Sequence, residues 1–272
     1  MSRPLEIAHL VIALGAAACT AATLDQAGFS GLEAWGHPMT WWVGAFAGWT
    51  YTAQRWIKWR RNPDELPAPR RAAFDRDPWA GLLVWTAVAL AATCTLVAHR
   101  PPQWASFLPV AAGAGALALG YALLPRPGGE GLRALPGAKL PIIALTWAAA
   151  TVWLPLSAEG LRLDVWVFVG QTCFIAGLTL PFDIRDLDQD PPHLRTLPQV
   201  HGPHTAIRVA LLLLALSAAL YVLAPQPQWG RMAVAIAAMP AVAFGVVPRN
   251  EAYYTWLLDG MIILQALDTL GN

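Results

Sequence analysis

The chain has 272 residues, 56% of them hydrophobic and 13% charged, about half the charged share of an ordinary soluble domain. That balance excludes a disordered chain and places the protein among integral membrane proteins. A formal net charge of +1 gives no electrostatic reason to expect a nucleic-acid partner.

Apolar stretches recur from end to end, near residues 6–23, 37–55, 80–98, 104–124, 138–157, 164–184, 205–224, 231–248 and 252–270. Each approaches the roughly 20 residues that cross a bilayer as helix. They predict an all-α, polytopic helical bundle of about nine transmembrane helices in a single domain, 1–272. The first stretch has some features of a secretory leader, with Arg3 before an apolar run. Glu6 and His9 spoil its basic head, and the three alanines before Cys19 do not suit a lipoprotein cleavage site, so it reads as a retained span. The second and ninth stretches carry the most polar residues.

The loop after the second span holds Arg55, Lys58, Arg60, Arg61, Arg70, Arg71 and Arg76. Of the eighteen basic residues, all but Arg100, Arg162 and Arg231 fall on the N-terminal side of the membrane in this threading. The positive-inside rule then puts the N-terminus and the loop after the sixth span in the cytoplasm, in a bacterial inner membrane. The same basic residues would attract anionic membrane lipid. Fourteen tryptophans suit interfacial anchoring. Cys19, Cys94 and Cys173 read as small buried apolar residues, without disulfide or metal spacing. No glycine-rich phosphate loop or serine nucleophile elbow is present, and the spacing of His193, His201 and His204 suggests no zinc site.

The sixth span ends in PFDIRDLDQD, residues 181–190, which places four aspartates at the mouth of an uncharged stretch. At about 100° per residue, Asp183, Asp186 and Asp190 fall within roughly 60° of one another, while Asp188 points elsewhere. Three carboxylates on one face repel unless a cation sits among them, and hard oxygen donors at an apolar boundary suit Mg²⁺ with a phosphate-bearing ligand. Pro191 and Pro192 oppose further helix, which puts Asp190 on the exit turn. A solvated acidic helix end is the bland alternative.

The segment after the aspartates, PPHLRTLPQVHG, makes a larger pattern. Asp183, Asp186 and Asp190, followed by Arg195, Thr196, Leu197, Pro198 and Gly202, resemble the second signature of the UbiA superfamily of membrane prenyltransferases. Tyr121 with Leu124 and Pro125 resembles that family's Tyr-Ser-Pro segment, and Lys139 opens the fifth span as a basic residue does there. The resemblance covers most of the chain and is specific in residues 181–202. The family's first signature, Asn-Asp-x-x-Asp-x-x-x-Asp, is degenerate: Thr50, Gln54 and Lys58 stand where an Asn and two Asp are expected. These three share one helix face.

The resemblance implies a UbiA-like fold and a reaction in which an isoprenoid diphosphate ionises and its carbocation alkylates an aromatic or other lipophilic acceptor. Asp183, Asp186 and Asp190 would hold Mg²⁺ and carry the catalysis. Arg195 and Lys139, joined by Thr196, Arg55 and Lys58, would bind the diphosphate. Gln54 would offer an amide oxygen, and Tyr121, Trp49 and Trp147 would face the positive charge. Two other classes stay open. A transporter would use the aspartates with Asp259 as an ion path, although Asp259 also suits a polar contact between helices. A non-catalytic or altered-chemistry member would keep the fold for lipid binding or as a scaffold.

Overall fold

A computed structural model describes residues 3–61, 63, 68–123, 135–188, 190 and 192–270. Among these the secondary structure is helical throughout. Helix α1 (Arg3–Gln26) is followed by α2 (Gly31–Gly36) and α3 (Pro38–Arg61), then by α4 (Ala68–Arg76), α5 (Ala80–His99) and α6 (Trp104–Leu123). A rod running from Lys139 to Ala158 comprises α7 (Lys139–Ala148), a π-helical turn (Ala149–Trp153) and α8 (Leu154–Ala158). Helix α9 (Val165–Arg185), the short α10 (Leu197–His201), α11 (Pro203–Leu223) and α12 (Trp229–Ala243) follow. A second π-helical segment (Tyr253–Leu258) runs into α13 (Asp259–Leu264).

Every expected span corresponds to helix. Six helical segments are long and apolar enough to cross a membrane: Ala80–His99, Trp104–Tyr121, Lys139–Ala158, Val165–Arg185, Pro203–Leu223 and Trp229–Val246. The remaining three expectations fall on α1, α3 and the segment Tyr253–Leu264, which is shorter than predicted.

Local chemistry sets the helix ends. Asp164 caps α9 by accepting from the N–H groups of Trp166 (2.9 Å) and Val167 (3.1 Å), two donors with no partner inside the helix. Ser30 and Glu33 form a reciprocal capping box on α2. Lys58, Arg60 and Arg61 close the last turn of α3, where positive charge complements the helix dipole.

Helix α9 is the centre of the bundle, buried along most of its length, and small residues let its neighbours approach. A Cβ at Gly177 would lie 2.9 Å from Leu214 of α11, and one at Gly44 of α3 would lie 2.8 Å from the Ala13 carbonyl of α1. Helix α5 is apolar all round yet exposes Leu83, Val84, Leu90 and Val97, as a lipid-facing helix does. Cys94 lies on this exposed surface, so the expectation that all three cysteines are buried holds only for Cys19 and Cys173. Arg231, which opens the expected span 231–248 and was counted on the outer side of the membrane, is buried in the first turn of α12, where its guanidinium donates to the Cys19 carbonyl and the Thr23 hydroxyl.

Candidate functional site

A cavity of about 880 Å³ opens between α3, α6, α7, α9 and the C-terminal helical segment. Its inner wall is apolar, with Ile12, Val43, Phe46, Ile175 and Leu178, and its mouth is crowded with charge. Both π-helical turns contribute to the wall, through Ala150 and Thr151 in one and Tyr254 and Thr255 in the other. Such turns recur where a helix re-aims side chains at a ligand site.

At the mouth, α9 stops at Arg185, and Asp186 already lies in the following turn. The Asp190 N–H donates to the Asp186 carbonyl (2.7 Å), which curls the chain so that Asp190 returns to Asp183. Gln199 of α10 holds this turn by donating to the Asp190 carbonyl (3.0 Å). The three aspartates converge on one point, which the Lys139 ammonium occupies. Its Nζ lies 2.7 Å from Asp183, 2.7 Å from Asp190 and 3.9 Å from Asp186. Asp183 and Asp190 are buried. Asp188 is exposed and is not among the residues that line the cavity.

Arg185 pairs with Asp186 through Nε (2.8 Å) and stacks its guanidinium over the Tyr254 ring at 4.7 Å. Three carboxylates against the two cations Lys139 and Arg185 leave this group with a net charge of −1. A set of carboxylate oxygens around one point, still net negative, fits a small hard divalent cation such as Mg²⁺.

The facing wall is α3. Thr50, Gln54 and Lys58 all line the cavity, so the face predicted from their spacing is the one turned inward. Gln54 Nε2 donates to the Ala118 carbonyl of α6 (2.8 Å). Arg55 also lines the cavity and is held by His9, whose ring nitrogen lies 2.6 Å from its Nη1. Arg55 donates, so His9 Nε2 accepts, and the ring proton belongs on Nδ1 toward Thr52 at 2.9 Å. Tyr121, Trp49 and Trp147 line the cavity too, with Trp147 donating to the Tyr51 hydroxyl (3.3 Å). Leu124 and Pro125 lie outside the described residues.

Two expected site residues stand apart. Arg195 is exposed and outside the lining, with a backbone φ of 46°. Thr196 is buried beneath the loop as the N-cap of α10, its N–H donating to Gln199 Oε1 (2.9 Å). Their conformation serves the turn that carries Asp190.

Arg185 and the C-terminal group Arg249, Asn250, Glu251 and Tyr254 line the mouth without having been singled out from sequence. Arg185 sits inside the acidic motif and was open to discovery there. The C-terminal residues belong to no motif. Asp259, weighed in sequence as an ion-path acid or a helix contact, lines the cavity.

No family model and no curated protein matches the sequence. Solved structures do match in fold. A UbiA homolog from Archaeoglobus fulgidus bound to GPP and Mg²⁺ superposes with a TM-score of 0.59 at 15% identity, covering 100% of this chain and 98% of that one. The same homolog bound to DMAPP and Mg²⁺ gives 0.57 at 15% identity, and bound to Cd²⁺ 0.55 at 17%, each with the same coverage of both chains. The chain therefore has the UbiA fold, an all-helical membrane architecture, over its full length.

Proposed function

We propose that this UbiA-fold chain, as one transmembrane domain, transfers a prenyl group from an isoprenoid diphosphate to a lipophilic, aromatic acceptor within the membrane. The observation that carries this reading is the convergence of Asp183, Asp186 and Asp190 on one point at the mouth of an apolar cavity, with cationic side chains on the opposite wall. The structurally similar archaeal homolog binds GPP or DMAPP together with Mg²⁺, which supports the same ligand class here.

In this reading the three aspartates hold one Mg²⁺, with Gln54 across from them as a further oxygen donor. A bound divalent cation supplies stabilisation of the charge that develops on the departing diphosphate. Lys58 and Arg55 bind diphosphate oxygens from the facing wall and Arg185 from the end of α9, and Arg55 arrives already positioned by His9. Lys139, which lies between two of these carboxylates, would bind a phosphate oxygen where Mg²⁺ is held by them. The allylic carbon–oxygen bond breaks with its electron pair leaving on the diphosphate. A nucleophilic atom of the acceptor then bonds to that carbon and gives up a proton. Tyr51, Tyr121 and Trp147 offer π faces to the positive charge, and the apolar wall excludes the water that would quench it. The placement of the aspartate mouth on the cytoplasmic side of a bacterial inner membrane belongs to the same proposal and rests on the arginine and lysine asymmetry.

The absence of the first acidic signature favours a second reading, in which the cavity binds a phosphorylated lipid without turning it over. One experiment separates the two. Binding of GPP and DMAPP to detergent-purified protein is measured with and without Mg²⁺, for the native chain and Asp183→Ala. The proposal expects Mg²⁺-dependent binding that Asp183→Ala abolishes, and release of diphosphate once an aromatic acceptor is supplied. Binding with no diphosphate release across an acceptor panel would favour the second reading, and no binding in any condition would sink both.

A further inference from the structure

The end of the bundle opposite the aspartates carries a second cluster of ligand-type side chains. Helix α3 has its C-terminal half, with Gln54 and Lys58, at the cavity mouth, and its first residue follows His37. At 1.5 Å per residue, Gln54 and Lys58 lie roughly 26 and 32 Å along the helix from His37, so His37 is about a membrane's width away from that mouth. His99 ends α5 at the same level, on a turn fixed by the left-handed backbone of Arg100 (φ 56°). Glu159 follows α8 there too.

One ligand atom from each of His37, His99 and Glu159 can be chosen so that all lie within 4.8 Å of one another. The His37 and His99 rings stand edge to face with centroids 4.8 Å apart, and Phe29 closes the other side of the His37 ring at 5.1 Å. His37 Nε2 and Glu159 Oε1 approach to 3.4 Å. Both atoms are buried and neither makes a hydrogen bond, while the His37 residue is only 5% exposed. A polar nitrogen and a carboxylate oxygen hidden from water and left unsatisfied cost stability unless something binds them. The backbone around them is tied down, since the Gln103 N–H donates to the Ala158 carbonyl (3.2 Å) and joins the turn after α5 to the end of α8.

We propose that His37, His99 and Glu159 form a site for a divalent transition metal of the Zn²⁺ class, separate from the aspartate site and at the opposite face of the membrane. Two imidazoles and one carboxylate make a three-ligand set whose fourth position falls to water through the exposed side of His99. Imidazole donors select Zn²⁺ or Co²⁺ over Mg²⁺, whereas the all-carboxylate set at the other end has the reverse preference. The metal ties together three segments distant in sequence: the α2–α3 junction, the end of α5 and the end of α8. Binding has one local cost. The Met39 N–H now donates to His37 Nδ1 (3.2 Å), which leaves the ring proton on Nε2. Coordination through Nε2 moves that proton to Nδ1 and breaks this helix-capping contact, a loss small against the affinity of a Zn²⁺ site.

The test uses the full chain in detergent, stripped of metal and then kept in excess Mg²⁺ so that the aspartate site does not report. Co²⁺ is titrated and followed by its visible d–d absorption, and Zn²⁺ by displacement of Co²⁺ and by the melting temperature. Native protein is expected to bind one equivalent of Co²⁺ with the intense absorption of a four-coordinate site, and to lose it to Zn²⁺. Loss of an outer-shell partner alone weakens a metal site roughly 10–100-fold, so His99→Ala and Glu159→Gln are each expected to weaken binding by at least that much. His99 is exposed, so His99→Ala should fold normally, and Glu159→Gln gives the same reading if it does not. Native protein that takes up no Co²⁺ or Zn²⁺ in Mg²⁺, or variants that bind as the native chain does, would overturn the assignment.

Discussion

Replacing Lys139 with methionine tests the electrostatic account of the aspartate cluster most directly. The ammonium lies 2.7 Å from two carboxylates and 3.9 Å from a third. At an effective dielectric of about 20, the two short contacts each contribute roughly 6 kcal/mol of attraction and the longer one roughly 4. Most of that gross attraction offsets the cost of removing four charges from water. The measurable loss on deleting one partner of such a buried set is about 3–5 kcal/mol. Lys139→Met keeps the volume of the stem and removes the charge, so the loss is electrostatic and not a cavity effect. At roughly 2–4 °C per kcal/mol for a chain of this size, the melting temperature in EDTA should fall by about 10 °C. Added Mg²⁺ should restore more than half of the fall, because it takes the place between Asp183 and Asp190 that the ammonium leaves. In the native chain Mg²⁺ alone should stabilise less, since it must share the oxygens with Lys139. Scanning fluorimetry of both proteins in EDTA and in Mg²⁺ reads all four values. A melting temperature within about 2 °C of native in EDTA, or equal Mg²⁺ increments in the two proteins, would refute the reasoning.

Other outcomes follow from where the side chains lie. Lys58 lines the cavity and Arg195 does not, so Lys58→Ala should weaken GPP binding roughly 10–100-fold, the loss of one charged hydrogen bond, while Arg195→Ala should leave it nearly unchanged. Titration calorimetry with GPP in Mg²⁺ checks both. At the other end of the bundle, Ser30→Ala should cost about 1 kcal/mol by removing the α2 cap. The Ser30 N–H holds the Glu33 carboxyl below its usual range, so the Glu33 contribution is present above the unfolded carboxyl's pKa and is lost as pH falls through the lower folded value. Melting curves of native protein and Glu33→Ala across that acidic window should converge as the pH drops.

The fold was largely legible because a membrane chain declares its helices by length and apolarity. The expected stretch 164–184 and the observed Val165–Arg185 differ by one residue at each end. The ninth stretch was overdrawn, because residues 252–270 include polar groups that line a cavity and a chain that leaves the helix after Leu264. The aspartates were legible from angular spacing, although helix geometry was the wrong device for Asp190. Its return to Asp183 comes from the backbone turn bond to Asp186 and the brace from the Gln199 side chain, neither of which a helical wheel describes. Arg195 and Thr196 were drawn into the site by motif membership alone, and a motif records proximity in sequence without recording which side chains face inward. The residues that sequence missed at the mouth, Arg249 to Tyr254, reach it only through the closing of the chain's last segment over α9.

The unequal walls of the mouth bear on how many metal ions a diphosphate would bring with it. On α9 and its exit turn the donors are carboxylates, which need a mobile cation before they can meet phosphate. On α3 the corresponding face carries Gln54, Arg55 and Lys58, which can meet phosphate directly. Arg55 is fixed by His9 at 2.6 Å, so it loses little freedom when an anion arrives. In the proposed reading these cations would stand in for a second metal. The affinity for isoprenoid diphosphate should then rise with the first power of free Mg²⁺ below saturation, and a plot of log affinity against log Mg²⁺ should have a slope of about one. A slope near two would mean that a second ion binds against α3 despite its positive side chains, and would remove Lys58 and Arg55 from the role assigned to them.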